Sequence, residues 1–418
     1  MKEELKGITR NDAVNTNSKF GVKGWLFIIS ILMCCWVAGA AGTDGLNTIL
    51  TQFVDKFGWS RATLTVASTC AGFFGAVTTS VMGLVAAKIG PKKTMIIIMT
   101  IFCWGYVESI VAYMICVLFI DGFFYGVVLC MGILASNWFP KKRGLVIGWI
   151  TMGFNISTIS ANWILTFGWS HFGFHGGFNL LGLLGVCAII MVILFVKNNP
   201  EEAGFFPDND KTMTMEKALQ LHEEGEKYLQ SSPWTFRKLI RNKNVWLIGI
   251  VYGFIQMMTV GCVSQLVPSI VARGYSQPTA MLCLSIAGVL GLFGSWFVGF
   301  LDVKHNTKFA TRFMILWILA TAVIFSLPVG SGIVFVACVM LGMVLGGTNN
   351  LCSSMTTHVF GRYDQQKAYS VVIPIYTFVR ALGYGLVGVL AEKTGTYTVP
   401  WLFMAGLNVV GFFMLYMI

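Results

Sequence analysis

Two residues of this sequence stand where an ionisable side chain is costly. Asp121 interrupts the apolar run VLFIDGFFYG (117–126), and Arg380 interrupts YTFVRALGYG (376–385). At the centre of a membrane-spanning helix an ionised residue costs about 2.5–3.5 kcal/mol on insertion scales, so such residues face protein or water and find a partner. Two roles are open. One is a buried ion pair, Asp121 with Arg380 or either with another polar group, holding parts of the chain together. The other is a ligand and proton site, in which Arg380 holds an anionic group and Asp121 takes up a proton and so frees Arg380 for a carboxylate. Other polar residues on apolar segments extend the candidate substrate site: Asp44 with Asn47, Asn155 with Asn162, Gln256 with Gln265, Asn349 with Asn350, and Tyr376. Asp44 could equally be a hydrated residue near a mouth, and Asn349-Asn350 a helix–helix hydrogen bond.

The elements that carry these residues follow from composition. Hydrophobic residues make up 56% of 418 and charged residues 11%, with a mean hydropathy of +0.73. Soluble chains carry roughly a quarter charged residues, so lipid must be part of this chain's solvent. At about 20 apolar residues per crossing, the polar clusters divide the chain into twelve expected spans: 24–52, 60–87, 94–107, 110–136, 145–168, 174–196, 245–272, 277–301, 309–328, 332–357, 368–391 and 398–418. The expected fold is an all-α membrane protein of two six-helix bundles. Residues 1–23 form a cytoplasmic tail, 24–196 the first bundle, 197–244 a cytoplasmic linker and 245–418 the second bundle. Most of the 29 Lys and Arg residues fall in alternate connections on the side of the N-terminus, which puts both termini inside. Within the linker, SPWTFRKLIRNKN (232–244) reads as an amphipathic surface helix, with Trp234, Phe236, Leu239 and Ile240 opposite its basic residues.

The two bundles echo each other. GWSRAT (58–63) returns as GYSQPT (274–279), GLVAAKIGPKK from Gly83 as GFLDVKHNTK from Gly299, and NWFPKKRG (137–144) as HVFGRYDQ (358–365). Three echoes in order, at nearly one offset, indicate a duplicated six-helix unit. The formal charge of +11 belongs to inner loops rather than to a nucleic-acid surface. The eleven cysteines are scattered through apolar runs without metal-ligand spacing, so neither a disulfide nor a metal is expected. No HExxH, P-loop or nucleophile–base set points to an enzyme or a cofactor.

The loop GLVAAKIGPKK resembles the signature of the major facilitator superfamily, through Gly83, Gly90, Lys92 and Lys93. Ala87 stands where that signature has an acid; in the second copy Asp302 is present and His305 replaces a glycine. The resemblance implies alternating access between two bundles, with the first helix of each three-helix repeat lining a central cavity. It also implies an inner-gate latch leaning on Asp302 and its basic neighbours, among them Arg143. FGWSRA (57–62), NWFPKKRGLVIG (137–148), PEEAGFFPD (200–208), VFGRYD (359–364) and LAEKTGTY (390–397) are similar to the branch of oxalate/formate antiporters and monocarboxylate transporters. That likeness implies a small organic anion as substrate, a proton or counter-substrate as coupling partner, and a monomer in the bacterial inner membrane. The cavity departs from the branch: between Arg273 and Asp302 no Asp, Glu, Lys, Arg or His occurs, Tyr275 and Cys283 being the only ionisable residues, and Arg380 lies about one turn from where the carriers' lysine falls. Two rivals remain, a proton-driven exporter of cationic, zwitterionic or amphipathic compounds attracted by Asp44 and Asp121, and a non-transporting membrane sensor.

Overall fold

The computed structural model describes residues 20–59, 61–101, 108–210, 220, 223–224, 227–228, 231–327 and 331–418. Its regular structure is helical. The first expected span is two helices, α1 (Gly21–Ala41) and α2 (Thr43–Phe57), broken at Gly42. The second is α3 (Arg61–Ile89), and the third begins as α4 (Pro91–Ile101), with residues 102–107 outside the described set. Then follow α5 (Ile110–Trp138), α6 (Arg143–Phe172) and α7 (Phe174–Phe195). The linker holds the short α8 (Phe236–Ile240). The second half comprises α9 (Lys243–Val271), α10 (Gln277–Lys304), α11 (Thr307–Ser326), α12 (Ser331–Thr394) and α13 (Thr398–Met414). Ten stretches on these helices are long and apolar enough to cross a membrane. The expected spans 94–107 and 368–391 are not among the ten; they fall on α4 and on the second limb of α12.

Local sequence explains where the helices begin. Ser109, Ser276 and Asn306 each accept a backbone N–H three residues ahead with their side chains, opening α5, α10 and α11. One expectation is corrected. Residues 362–367, read as a polar loop between the spans 332–357 and 368–391, are helical, and α12 breaks only at Gly361, where φ is 84°. Glycine alone takes that conformation without strain. The polar residues beyond it can stay helical because Asp364 and Gln365 find partners inside the fold. The amphipathic segment 232–244 is also shorter as a helix than read, five residues rather than thirteen.

Two packing seams join the halves. α3 lies along the second limb of α12, and α6 lies along α10. Both need small residues. A Cβ at Gly83 would run into Ser370, one at Gly299 would meet the Gly144 carbonyl at 2.5 Å, and one at Gly148 the Ser295 carbonyl at 2.6 Å. Small-residue stripes let helix backbones approach where lipid offers no hydrophobic drive for association. After α7, residues 197–210 fold under the first half. There the Asp208 carboxylate accepts the backbone N–H groups of Lys141 and Lys142 at 3.0–3.1 Å, and Trp138 Nε1 donates to the Lys197 carbonyl at 2.9 Å.

Candidate functional site

The helix pair α5 and α12 brings the two costly charges together. Asp121 and Tyr125, four residues apart, share one face of α5. Arg380 and Tyr376, also four apart, share one face of the second limb of α12. The Arg380 guanidinium lies over the Tyr125 ring, 5.1 Å from its centroid. The rings of Tyr125 and Tyr376 meet edge to face at 6.3 Å. Asp121 is within Coulombic reach of Arg380. Its carboxylate borders the break in the first span: a side chain at Gly42 would meet Oδ1 at 3.2 Å. Asp121 and Arg380 are half-buried. Tyr125 is 4% exposed, and its hydroxyl has no partner among the described residues. A guanidinium beside two phenols and a carboxylate can hold an anion and exchange it against the acid, because Arg offers a planar fork of donors and an aromatic face steadies it.

The other candidates form separate groups. Asp44, at the start of α2, is held by two hydroxyls of α6, with Ser157 Oγ donating at 2.6 Å and Thr158 Oγ1 at 3.1 Å. Gln256 of α9 donates to Asn349 Oδ1 at 2.7 Å and to Thr348 Oγ1 at 3.0 Å, a bond set within the second half. Asn155 and Asn350 belong to the α6–α10 seam instead. Asn155 Nδ2 donates to Ser295 Oγ at 2.9 Å, Asn350 Nδ2 to the Ser295 carbonyl at 2.7 Å, and Thr151 Oγ1 to Asn350 Oδ1 at 2.6 Å. All four side chains are buried, so in this arrangement they join the halves rather than face Arg380. The side chains of Asn47, Asn162 and Gln265 lie outside the described set.

The signature residues gather at one end of the bundle. Gly83 abuts Ser370 across the halves, and Gly90, at φ 88°, leaves room for Asn198, whose Oδ1 accepts the Lys92 N–H at 3.0 Å. Lys92 Nζ donates to the Ile193 carbonyl at 2.9 Å, so this lysine ties α4 to α7 within its own half. Lys93 is exposed. Asp302, 7% exposed, presses on Gly144 at the N-terminus of α6, where a carboxylate is favoured by the helix dipole. Arg143 faces Asp302 and donates to the Pro140 carbonyl at 2.9 Å and, across the halves, to the Ser354 carbonyl at 3.4 Å. Beside it, burial holds the Lys142 ammonium below the usual lysine range, although Asp208 opposes the shift. Ser136 and Thr357 hydroxyls meet across the same end at 3.3 Å, and Gln365 Nε2 reaches the Gly132 carbonyl at 3.4 Å.

Sequence reasoning passed over several of these residues. Tyr125 carried a signal, four residues after Asp121. Ser295 carried none, because a serine on an apolar helix can satisfy its hydroxyl on its own backbone and so marks no distant partner. Asp364 stood inside a quoted motif, but its partners come from the linker: Tyr228 Oη donates at 2.8 Å and Ser232 Oγ at 2.6 Å. Burial and that bond push the Tyr228 hydroxyl up to about 12.

Comparison with known proteins agrees with this architecture. The sequence profile of the Major Facilitator Superfamily matches residues 28–384. The inner membrane transport protein RhmT of Escherichia coli is 28% identical over 186 residues, covering 42% of this chain and 41% of that protein's length. The phosphoglycerate transporter protein of Salmonella typhimurium is 22% identical over 382 residues, 86% of this chain and 82% of the relative. The structure of the proton:xylose symporter XylE superposes with a TM-score of 0.72 at 14% identity, covering 94% of this chain and 95% of that one, a likeness of fold alone. A chain with ten stretches apolar enough to span a bilayer among its described residues, and a family match across most of its length, is a membrane transporter rather than an enzyme and belongs to the Major Facilitator Superfamily.

Proposed function

We propose that this transporter carries a small organic anion, a monocarboxylate or a related carboxylate, by alternating access between the segments 24–196 and 245–418. Arg380 binds the carboxylate, with Tyr125 and Tyr376 beside it. Asp121 takes the coupling proton, so that protonation releases Arg380 to the substrate and the two enter together; anion exchange uses the same site without net proton movement. The observation that carries this reading is the placement of Arg380 over Tyr125 and within reach of Asp121, between the two halves. The 22% identity to a phosphoglycerate transporter is compatible with an anionic solute. The sequence motifs shared with oxalate/formate and monocarboxylate carriers favour a carboxylate. We place the chain in twelve spans as a monomer of the bacterial inner membrane, with both termini and the Arg143–Asp302 end inside; the excess of Lys and Arg in the connections on that side supports this orientation.

The test is uptake of radiolabelled formate, oxalate, lactate and 3-phosphoglycerate into proteoliposomes, with and without an imposed pH gradient. Arg380→Gln should abolish carboxylate uptake, and uptake at the native rate would refute the site. Asp121→Asn should keep exchange and lose accumulation driven by the gradient. A second reading, export of cationic compounds, draws on Asp44 and Asp121, which both lie beside the Gly42 break. Thermal stabilisation by cations and by no carboxylate would favour it.

A further inference from the structure

The linker reaches the second half through α8, a helix whose edges differ sharply. Leu239 is buried and fixes α8 to the protein. At about 100° per residue, Phe236 and Ile240 lie next to Leu239 on one side, and Arg237 and Arg241 follow them around the helix, with Lys238 beyond. Phe236 is 52% exposed, Ile240 39% and Trp246, in the first turns of α9, 46%. Trp246 is tied to α8, its Nε1 donating to the Ile240 carbonyl at 2.7 Å. The side chains of Arg237, Lys238 and Arg241 are exposed and make no hydrogen bond or ion pair among the described residues.

The exposed phenyl ring, aliphatic chain and indole leave apolar surface in water beside three exposed cations. The same set suits the boundary of an anionic bilayer. There the apolar groups enter the acyl edge, the indole sits at headgroup level, and each cation strengthens binding by about fivefold. The position agrees with this, because α8 runs directly into α9, whose stretch Lys243–Gly261 is apolar enough to span.

We propose that α8 and the first turns of α9 form a binding surface for anionic phospholipid headgroups, which holds the linker against the bilayer. A free phosphate would meet the cations but leave Phe236, Ile240 and Trp246 in water, so lipid is the occupant the surface fits. The test is native mass spectrometry of the full-length protein in detergent, titrated with dioleoylphosphatidylglycerol, dioleoylphosphatidylcholine or glycerol 1-phosphate. The phosphatidylglycerol should bind at least tenfold more tightly than the phosphatidylcholine, and glycerol 1-phosphate should not bind at the same concentrations. Arg237→Gln with Arg241→Gln should weaken the tightest phosphatidylglycerol binding by roughly 25-fold, fivefold per charge, and leave phosphatidylcholine binding unchanged. Both side chains are exposed, so the unfolding midpoint without added lipid should not move. If the double variant nevertheless melts early, Lys238→Gln alone, with an expected loss of about fivefold, replaces it. Equal binding of the two lipids by the native chain, equal binding of glycerol 1-phosphate, or undiminished phosphatidylglycerol binding in the variants would overturn the proposal.

Discussion

Gly148→Ala tests whether close packing of α6 on α10 holds the two halves together. The new methyl group would lie 2.6 Å from the Ser295 carbonyl oxygen and 3.5 Å from Asn350 Nδ2. The first distance is about 1 Å inside ordinary contact. The obstacle is backbone, so no rotamer change relieves it. The same carbonyl accepts Asn350 Nδ2 at 2.7 Å, and Asn350 Oδ1 in turn accepts Thr151 at 2.6 Å. The helices must therefore part, and the cross-half bonds must lengthen. Overpacking costs about 1–3 kcal/mol, and a weakened interhelical hydrogen bond adds about 0.6–1.7 kcal/mol. Alanine's better helix propensity offsets about 0.5–1 kcal/mol. A net cost of roughly 1–4 kcal/mol changes any equilibrium between joined and parted halves by a factor of about five to nearly a thousand. Gly182→Ala is the control, since no atom lies within 4 Å of a Cβ there. The assay is the unfolding midpoint together with the rate at which a thiol reagent labels Ser136→Cys in a background cleared of native cysteines; Ser136 is fully buried at the joined end. Gly148→Ala should melt lower and label at least fivefold faster than the control. A midpoint and labelling rate equal to those of Gly182→Ala would refute the reasoning.

Three further expectations concern the same end of the molecule. In the cysteine-cleared background, Ser136→Cys with Thr357→Cys, whose native hydroxyls are 3.3 Å apart, should form a disulfide on oxidation and arrest transport until reduced; free turnover of the oxidised protein would contradict the joined geometry. Asp208→Ala should destabilise the first half by about 1–3 kcal/mol, since the Lys141 and Lys142 N–H groups lose their acceptor. Asp208→Asn should recover part of that loss in a thermal melt, because an amide oxygen still accepts and Asn tolerates the φ of 57° at this position. Asp364→Ala should release Tyr228 and Ser232 and raise the rate of protease cleavage near residues 228–232 several-fold, while Arg380-dependent uptake persists; an unchanged cleavage rate would show that the linker is held elsewhere.

Much of the helix layout was legible because apolar length and polar punctuation are local properties. The ranges 110–136 and 174–196 begin where α5 and α7 begin and differ from them only at the C-terminal end, by two residues and by one. The first span was read as one helix because nothing in its hydropathy marks Gly42, whose break appears only as backbone geometry. The connection 362–367 was misread for the opposite reason: its polarity suggested a loop, but buried partners satisfy it within a helix. At the candidate site, Asp121 and Arg380 stood out because their cost in lipid depends on residue type alone. Their proximity depends on how α5 meets the second limb of α12, which no periodicity encodes.

The amide residues show the same division. Asn155, Asn349, Asn350 and Gln256 were grouped as substrate ligands because polar side chains on apolar helices need partners. The need was visible in the sequence, and the choice of partner was not. Asn155 of α6 meets Ser295 of α10, Asn350 of α12 meets Ser295 and Thr151 of α6, Gln256 meets Asn349 within the second half, and Asp44 meets Ser157 and Thr158. Sequence alone determined that this chain lives in a bilayer and that one acid and one base stand in apolar helices at a cost, because transfer energies act residue by residue. Only the tertiary structure decided which polar groups meet and at which end the two halves close, because hydrogen bonds and close helix crossings depend on distances between residues up to more than 200 positions apart in the chain.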